Sequence, residues 1–235
     1  MGNLQKPKVL FIVGATGAGK SDLAIELAKI FNGEIISADS VQIYKGFDIG
    51  SAKIKKEQMQ NIKHYGIDIK SPEEEFTVYD YVEYTKSCIN EIRKKGKLPI
   101  IVGGTGLYCK ALIEGYNFGD TNKHSEFRKS LEKEIESKGL QSIYDRLYQL
   151  NSELAKSIDK HNPVRVIRAM EIVTFGKERT KNSNSQYNFM VLAVTLDRDT
   201  LYKKINQRVD TMLEQGLIHE VENLYKKYGK DVQPM

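Results

Sequence analysis

A chain of 235 residues, 40% apolar and 29% charged, has the composition of an ordinary globular protein, long enough for one sizeable core carrying a smaller insert. Its formal charge of +5 permits an anionic partner without demanding one. Cys88 and Cys109 lack metal or disulfide-framework spacing, no apolar run reaches membrane-spanning length and no secretion signal opens the chain, so reduced thiols, no membrane partner and a cytoplasmic location are expected.

Lys8–Val13 (KVLFIV) is continuously apolar, rich in β-branched residues and followed by glycine, which predicts a strand buried on both faces of a parallel sheet. Ser21–Phe31 places Leu23, Ala24, Leu27 and Ala28 at helical spacing, and Asn32-Gly33 supplies a stop. Glu34–Ala38 is a second strand. Val78, Tyr81, Val82, Ile89 and Ile92 predict a helix over Thr77–Lys95, ended by Gly96. Leu98–Val102 (LPIIV) is a third buried strand, running into Gly103-Gly104. The alternation is that of an α/β protein with a doubly wound parallel sheet.

The character changes after about Gly119. From Lys123 to about Lys181 the sequence is polar and helical in period, with no convincing buried strand, and helices are predicted over Ser125–Glu136, Gln141–Leu150 and Pro163–Val173. Asn182–Tyr187 reads as a loop. Phe189–Leu196 returns to strand character, and Arg198–Lys227 reads as long amphipathic helices. A helical insert over 120–185, between core segments 1–119 and 186–235, explains this order.

Gly14–Ser21 reads GATGAGKS and fits G-x-x-x-x-G-K-[ST], placed after a buried strand and opening a helix. Gly14, Ala15, Thr16, Gly17, Ala18 and Gly19 turn the backbone so that successive N–H groups face an anion, with the helix terminus adding partial positive charge. Lys20 is suited to neutralise terminal phosphate oxygens, and Ser21 to join the coordination of Mg²⁺. These residues predict a P-loop NTPase-like core that binds a diphosphate or triphosphate, without saying which molecule carries it. One reading is a P-loop kinase, moving phosphate from ATP to a small molecule. The third strand, however, ends in Val-Gly-Gly-Thr-Gly without a carboxylate to steady the metal, although Asp39 could serve that purpose.

Four segments together resemble one family. GATGAGKS, ISADSVQIYKGFDIGSAK, LPIIVGGTGLYCKALIEG and RVIRAME are similar, in order and spacing, to the tRNA dimethylallyltransferases, also called tRNA isopentenyltransferases. The resemblance runs from about Lys8 to about Glu222. It implies transfer of a dimethylallyl group from dimethylallyl diphosphate to N6 of adenosine 37, with the P-loop holding the diphosphate rather than ATP and Lys20 stabilising the leaving group. Asp39 is then the general base, a helix cap or an Mg²⁺ ligand being the other readings of that carboxylate. Ser40, Val41 and Gln42 are implied to contact the target base or its neighbours, and Thr105 to meet tRNA at the reaction chamber. Lys53, in GSAK, is a further phosphate contact or a solvated lysine.

On the RNA side, a base in the anticodon loop must swing out to be reached, and the insert is the natural holder. The resemblance implies tRNA contact by Arg128 and by the segment Val164, Arg165, Val166, Ile167 and Arg168. Tyr144 and Tyr148 read as core. The lysines interleaved with glutamates from Glu126 to Lys138 read as helix-surface pairs. His64, His124, His161 and His219 show no ligand spacing, so no metal is assigned to them. A monomer is expected. The family carries an Asn-Asp ahead of the first arginine of its RxxR, where this chain has His161-Asn162-Pro163, and it continues with an Ile-Gly-Tyr-Lys-Glu segment and basic helices that do not occur before Met235. Without those helices weaker tRNA binding and reduced activity are expected, the extreme being an RNA-binding remnant without catalysis.

Overall fold

The computed structural model describes residues 6–117, 125–176, 180–181, 186–230 and 232. They fall into two compact units, Met1–Glu114 with Asn184–Met235, and Gly115–Ser183.

In the first unit, Lys8–Gly14 (β1) buries Val9 to Ile12 almost completely, as a β-branched and aromatic run does in the middle of a parallel sheet. It is followed by the helix Lys20–Ile30 (α1), by Gly33–Ser37 (β2), all five residues buried, and by the short strand His64–Tyr65 (β3). A 3₁₀ turn, Lys56–Met59, precedes β3. Val78–Lys94 (α2) begins on a reciprocal cap. Thr77 Oγ1 accepts from the Asp80 amide at 3.2 Å and Asp80 Oδ2 from the Thr77 amide at 2.8 Å. Leu98–Val102 (β4) leads into Gly106–Ile113 (α3). Asn188–Val194 (β7) returns after the second unit, and Arg198–Glu214 (α8) and Leu217–Tyr228 (α9) follow.

The five strands are parallel, in the order β3-β2-β4-β1-β7. Leu10, Ile12, Ile35, Ile100 and Val102 pack with Ala24, Ile25 and Ala28 of α1. Residues of the other parity, such as Phe11, Ile36 and Ile101, point to the opposite face, where α2 packs on β2 and β4. The expected α/β class, a P-loop NTPase-like doubly wound sheet, is what the chain adopts. β1, β2 and β4 all end on one edge, and open parallel sheets bind ligands outside the carboxyl ends of their strands.

The second unit holds the two-residue strand Tyr116–Asn117 (β5) and four helices, Ser125–Lys138 (α4), Leu140–Leu150 (α5), Ser152–Ser157 (α6) and Pro163–Phe175 (α7), and closes with Thr180–Lys181 (β6). Leu131, Ile143, Leu147, Ala155, Val166 and Met170 form its core. β5 and β6 pair antiparallel, β6 lying at the end of the stretch in which no buried strand is expected. A two-residue strand carries no period for a sequence pattern to show. α3 and α6 were likewise not foreseen. His124 and residues 182–185 of the expected loop lie outside the described residues.

Candidate active site

The P-loop takes its shape from three glycines with positive φ, Gly14, Gly17 and Gly19. A Cβ on Gly14 would sit 2.3 Å from the Val194 carbonyl oxygen, so β1 and β7 pair to their ends only because this residue has no side chain. Gly19 is the N-cap of α1 and has no side chain with which to cap it. The first N–H groups of α1 are thereby left for an anion. Lys20 Nζ donates to the Ala15 carbonyl at 2.7 Å, folding the lysine over the loop. Burial, and then the Arg208 guanidinium, hold the Lys20 pKa below the ordinary lysine value. Thr16, Lys20 and Ser21 line a common cavity, and Ala18 is buried beneath the turn.

The segment after β2 makes the opposite wall. The Ala38 amide donates to the Val102 carbonyl at 2.7 Å, which extends the β2–β4 pairing by one residue. The chain then breaks away at Asp39, whose Oδ1 accepts from the amides of Val41 (2.9 Å) and Gln42 (3.3 Å). Asp39 therefore caps a local turn through one oxygen, while among the described residues Oδ2 accepts no hydrogen bond. Gln42 is fixed at both ends of its amide, accepting from Ser37 Oγ at 3.2 Å and donating to the Ser51 carbonyl at 3.3 Å. The Gly-Gly-Thr-Gly turn after β4 is stitched to this wall. The Thr105 amide donates to the Ala38 carbonyl at 3.1 Å, and the Ser40 amide to Thr105 Oγ1 at 3.1 Å.

P-loop, Asp39 turn and Gly-Gly turn enclose a cavity of about 120 Å³. Its polar lining includes Thr16, Lys20, Ser21, Ser37, Asp39, Gln42, Ser51, His64 and Arg208, and its apolar lining includes Ala24, Ile35, Ile54, Ile67 and Val102. Asp39 is the one carboxylate among these described lining residues. Arg208, Ser51 and His64 were not singled out by sequence. Arg208 lies on α8, 169 residues beyond Asp39 (208 − 39), inside an ordinary charged helix pattern that gives no local signal. Its Nη2 donates to the Ser51 carbonyl at 3.4 Å. Burial lowers the pKa of His64, so its ring stays neutral at pH 7, and Nδ1 faces the Ile62 carbonyl at 2.9 Å. A groove of about 720 Å³ shares Ala52, Ile54, Ile67 and Arg208 with the cavity.

Two expected positions come out differently. Lys53 is neither a solvated lysine nor open to a phosphate. Its side chain is 6% exposed and Nζ donates to the Tyr44 carbonyl (2.9 Å), Asp48 Oδ1 (2.6 Å) and Asp68 Oδ1 (2.6 Å). In the second unit, Val166 and Ile167 point into the helical core, so the segment from Val164 to Arg168 offers no continuous outer face. Val164 and Arg165 are exposed. Arg128 forks onto Glu171, with Nε–Oε1 and Nη2–Oε2 each 3.1 Å, and Arg168 Nη1 donates to Glu171 Oε2 at 3.0 Å. That carboxylate is buried, so both arginines are oriented by it with their outer edges still accessible. Tyr144 packs against the core, whereas Tyr148 is largely exposed.

No group of three or more His, Cys, Asp or Glu side chains among the described residues is arranged to hold a metal ion. The oxygen donors at the cavity are hydroxyls, the Gln42 amide and one carboxylate. That set suits Mg²⁺, which takes one or two protein oxygens and completes its shell with phosphate oxygens and water. No helix among the described residues is long and apolar enough to cross a membrane.

The IPP transferase family model matches residues 42–235. A tRNA dimethylallyltransferase of Bacillus cereus (strain AH187) is 44% identical over 239 residues, covering 99% of this chain and 75% of the relative. Among solved structures, the full-length tRNA isopentenylpyrophosphate transferase of Bacillus halodurans aligns with a TM-score of 0.70 at 42% identity, over 98% of this chain and 73% of that one. A eukaryotic dimethylallyltransferase acting on tRNA aligns with a TM-score of 0.79 at 29% identity, over 94% of this chain and 56% of that one.

Proposed function

This chain belongs to the IPP transferase family, and from that premise we propose that it transfers a dimethylallyl group from dimethylallyl diphosphate to N6 of adenosine 37 in tRNA, in the cytoplasm. The observation that carries this reading is the cavity itself: the P-loop lysine and a single carboxylate line one space, whose other walls mix hydroxyl and amide side chains with Ala24, Ile35, Ile54, Ile67 and Val102. A phosphate grip and a proton acceptor in one space, with apolar side chains in the same lining, suit an allylic diphosphate.

The bond that breaks joins C1 of the dimethylallyl group to its bridging oxygen, and the electron pair leaves with pyrophosphate. Lys20, Arg208 and the amides of the P-loop meet that growing charge, which is where fixed donors contribute most. Lys20 is partly withdrawn from solvent, so its charge counts for more than it would in water. Magnesium, held by Ser21 and the diphosphate, would add Lewis-acid stabilisation of the leaving group when bound. The bond that forms joins C1 to the exocyclic nitrogen of adenine, a weak nucleophile whose proton must leave. Asp39 Oδ2 accepts it, while the amides of Val41 and Gln42 hold Oδ1 and so fix the direction of the carboxyl. Ser40 and Thr105, bonded to each other, and Gln42, held by Ser37 and Ser51, present a polar rim to the everted base.

In the second unit, Arg165 and the outer edges of Arg128 and Arg168 are the cations we assign to the anticodon-stem phosphates. Val164 is the exposed apolar contact beside them.

Incubation with Mg²⁺, labelled dimethylallyl diphosphate and unmodified tRNA should place label in acid-insoluble RNA. A parallel incubation with γ-labelled ATP and small acceptors should move none. Label transferred from ATP, with none reaching RNA, would replace prenyl transfer by a kinase.

A further inference from the structure

One charged side chain of the first unit takes no part in that chemistry yet accepts three backbone amides. Glu220, in the first turn of α9, accepts three consecutive amides from a loop about 170 residues earlier. Oε2 takes Asp48 at 3.0 Å and Ile49 at 2.7 Å, and Oε1 takes Gly50 at 3.0 Å. Successive N–H groups converging on one point form an anion-binding nest of the kind that elsewhere holds phosphate. Here the protein's own carboxylate fills it, so these amides serve the architecture and not a ligand.

Neighbouring residues of α9 complete the contact. A Cβ on Gly50 would lie 3.3 Å from Leu217 Cδ1, and one on Gly46 would lie 3.4 Å from Leu224 Cδ2. Leu217, Glu220 and Leu224 lie on one helical face, at i, i+3 and i+7, pressed on the loop from Gly46 to Gly50. The next residue is Ser51, itself pinned by its Oγ to the Phe47 carbonyl at 2.6 Å. The Ser51 carbonyl accepts from Gln42 Nε2 and from Arg208 Nη2, both of which line the cavity. A path therefore runs from α9 through the hydrogen-bonded Asp48–Gly50 amides and the adjoining Ser51 to Gln42 and Arg208, two long polar side chains that line the cavity.

We propose that Glu220 is a positioning residue: by gripping the Asp48–Gly50 amides it fixes the Ser51 carbonyl on which Gln42 and Arg208 are held, and so sets the geometry of the phosphate end of the cavity. It touches no substrate. For catalysis, this rests on the prenyl-transfer function assigned to the cavity. The grip on Arg208 does not, and that allows the two to be tested apart.

Glu220→Gln keeps the size of the side chain but turns one acceptor into a donor that faces an amide. Three measurements apply: amide hydrogen exchange at residues 48–50, the affinity for magnesium pyrophosphate, and prenyl transfer to tRNA. Ile92→Val, a core change in α2 away from the cavity, serves as a control for general destabilisation. The expected result for Glu220→Gln is exchange at least about tenfold faster at those three amides, with pyrophosphate affinity and kcat/KM each lower by about fivefold or more. Glu220→Asp should fall between the variant and the wild type, and Ile92→Val should leave pyrophosphate affinity unchanged. Unaltered pyrophosphate affinity in Glu220→Gln, or a loss equal to that in Ile92→Val, overturns the positioning role. If the wild type prenylates no tRNA while Glu220→Gln still weakens pyrophosphate binding, the positioning role stands and the prenyl-transfer reading falls.

Discussion

Gly103→Ala tests how closely the walls of the cavity depend on one another. Gly103 follows β4 and faces the residue before Asp39. A Cβ there would stand 2.2 Å from the Ala38 carbonyl oxygen, 2.5 Å from its carbon and 2.7 Å from its Cβ. An ordinary carbon–oxygen contact is about 3.3 Å, so the two turns must part by about 1 Å. Nothing on that line can yield cheaply, because the obstructing atoms are backbone. The Ala38 carbonyl accepts from the Thr105 amide, the Ala38 amide donates to Val102, and the Gly103 amide donates to Ile12 at 3.3 Å, so parting the turns strains all three bonds. Overpacking of this sort costs about 1–3 kcal/mol and one lost hydrogen bond about 1 kcal/mol more, for a total of about 3 kcal/mol. For a unit of this size that lowers the melting temperature by roughly 10 °C. The same displacement moves Asp39 relative to the P-loop, and a 1 Å misplacement of a reacting group costs about 100-fold in turnover. Scanning calorimetry and the labelled-transfer assay read the two effects separately. Gly104→Ala, where a Cβ meets nothing within 4 Å, is the control for stability and should melt within about 1 °C of the wild type. Wild-type melting and turnover in Gly103→Ala would refute the contact and the coupling drawn from it.

Acid should loosen the first unit through Glu34. Burial alone would raise its pKa, but hydrogen bonds from Lys97, Lys95 and Tyr65 outweigh that and hold it below the usual range, and Glu91, bonded by Lys95, Tyr65 and Lys63, is held down to about 2. Carboxylates lowered in this way contribute stability above their unfolded pKa and lose it as pH falls through the folded values. The melting temperature should therefore drop between about pH 4.5 and 2, and Glu34→Gln should flatten that drop. An unchanged slope would contradict the assignment. In the second unit, Glu171→Ala should cost about 3 kcal/mol by leaving Arg128 and Arg168 without their buried partner. Arg165→Ala should leave stability unchanged but weaken tRNA binding and reduce its salt slope by about one. Retention of the full salt slope would remove Arg165 from the RNA contacts. Lys53→Met should destabilise the first unit by about 1 kcal/mol, since Asp48 and Asp68 lose a shared cation but remain open to water, and equal melting would show that this buried lysine holds nothing together.

The parts that the sequence made legible are those whose physics is local. A continuous apolar run, a glycine-rich turn and a helix start follow one another within residues 8–31, so β1, the P-loop and α1 could be placed nearly to the residue. Asp39 is legible through the ISADSVQIY segment that carries the family resemblance, and the turn that it caps lies within three residues of it. What escaped notice depends on distance along the chain. Arg208 reaches the cavity wall, and Glu220 the Asp48–Gly50 loop, from helices whose surface pattern looks like any solvated face, and only the packing of α8 and α9 brings them there. Lys53 reads as a phosphate contact or a solvated lysine because its two carboxylate partners sit 5 and 15 residues away, in loops without period. Val166 and Ile167 entered with a motif, yet a helix that offers alternate faces to core and surface cannot present five consecutive side chains.

The most direct measurement compares wild type and Asp39→Asn under single-turnover conditions, with the affinity for magnesium pyrophosphate determined in parallel. Loss of a general base predicts prenyl transfer slower by about 100- to 10,000-fold, with pyrophosphate and tRNA affinities within a few-fold of the wild type. Transfer at the wild-type rate by Asp39→Asn would contradict the role given to this carboxylate, and with it the chemistry assigned to the cavity.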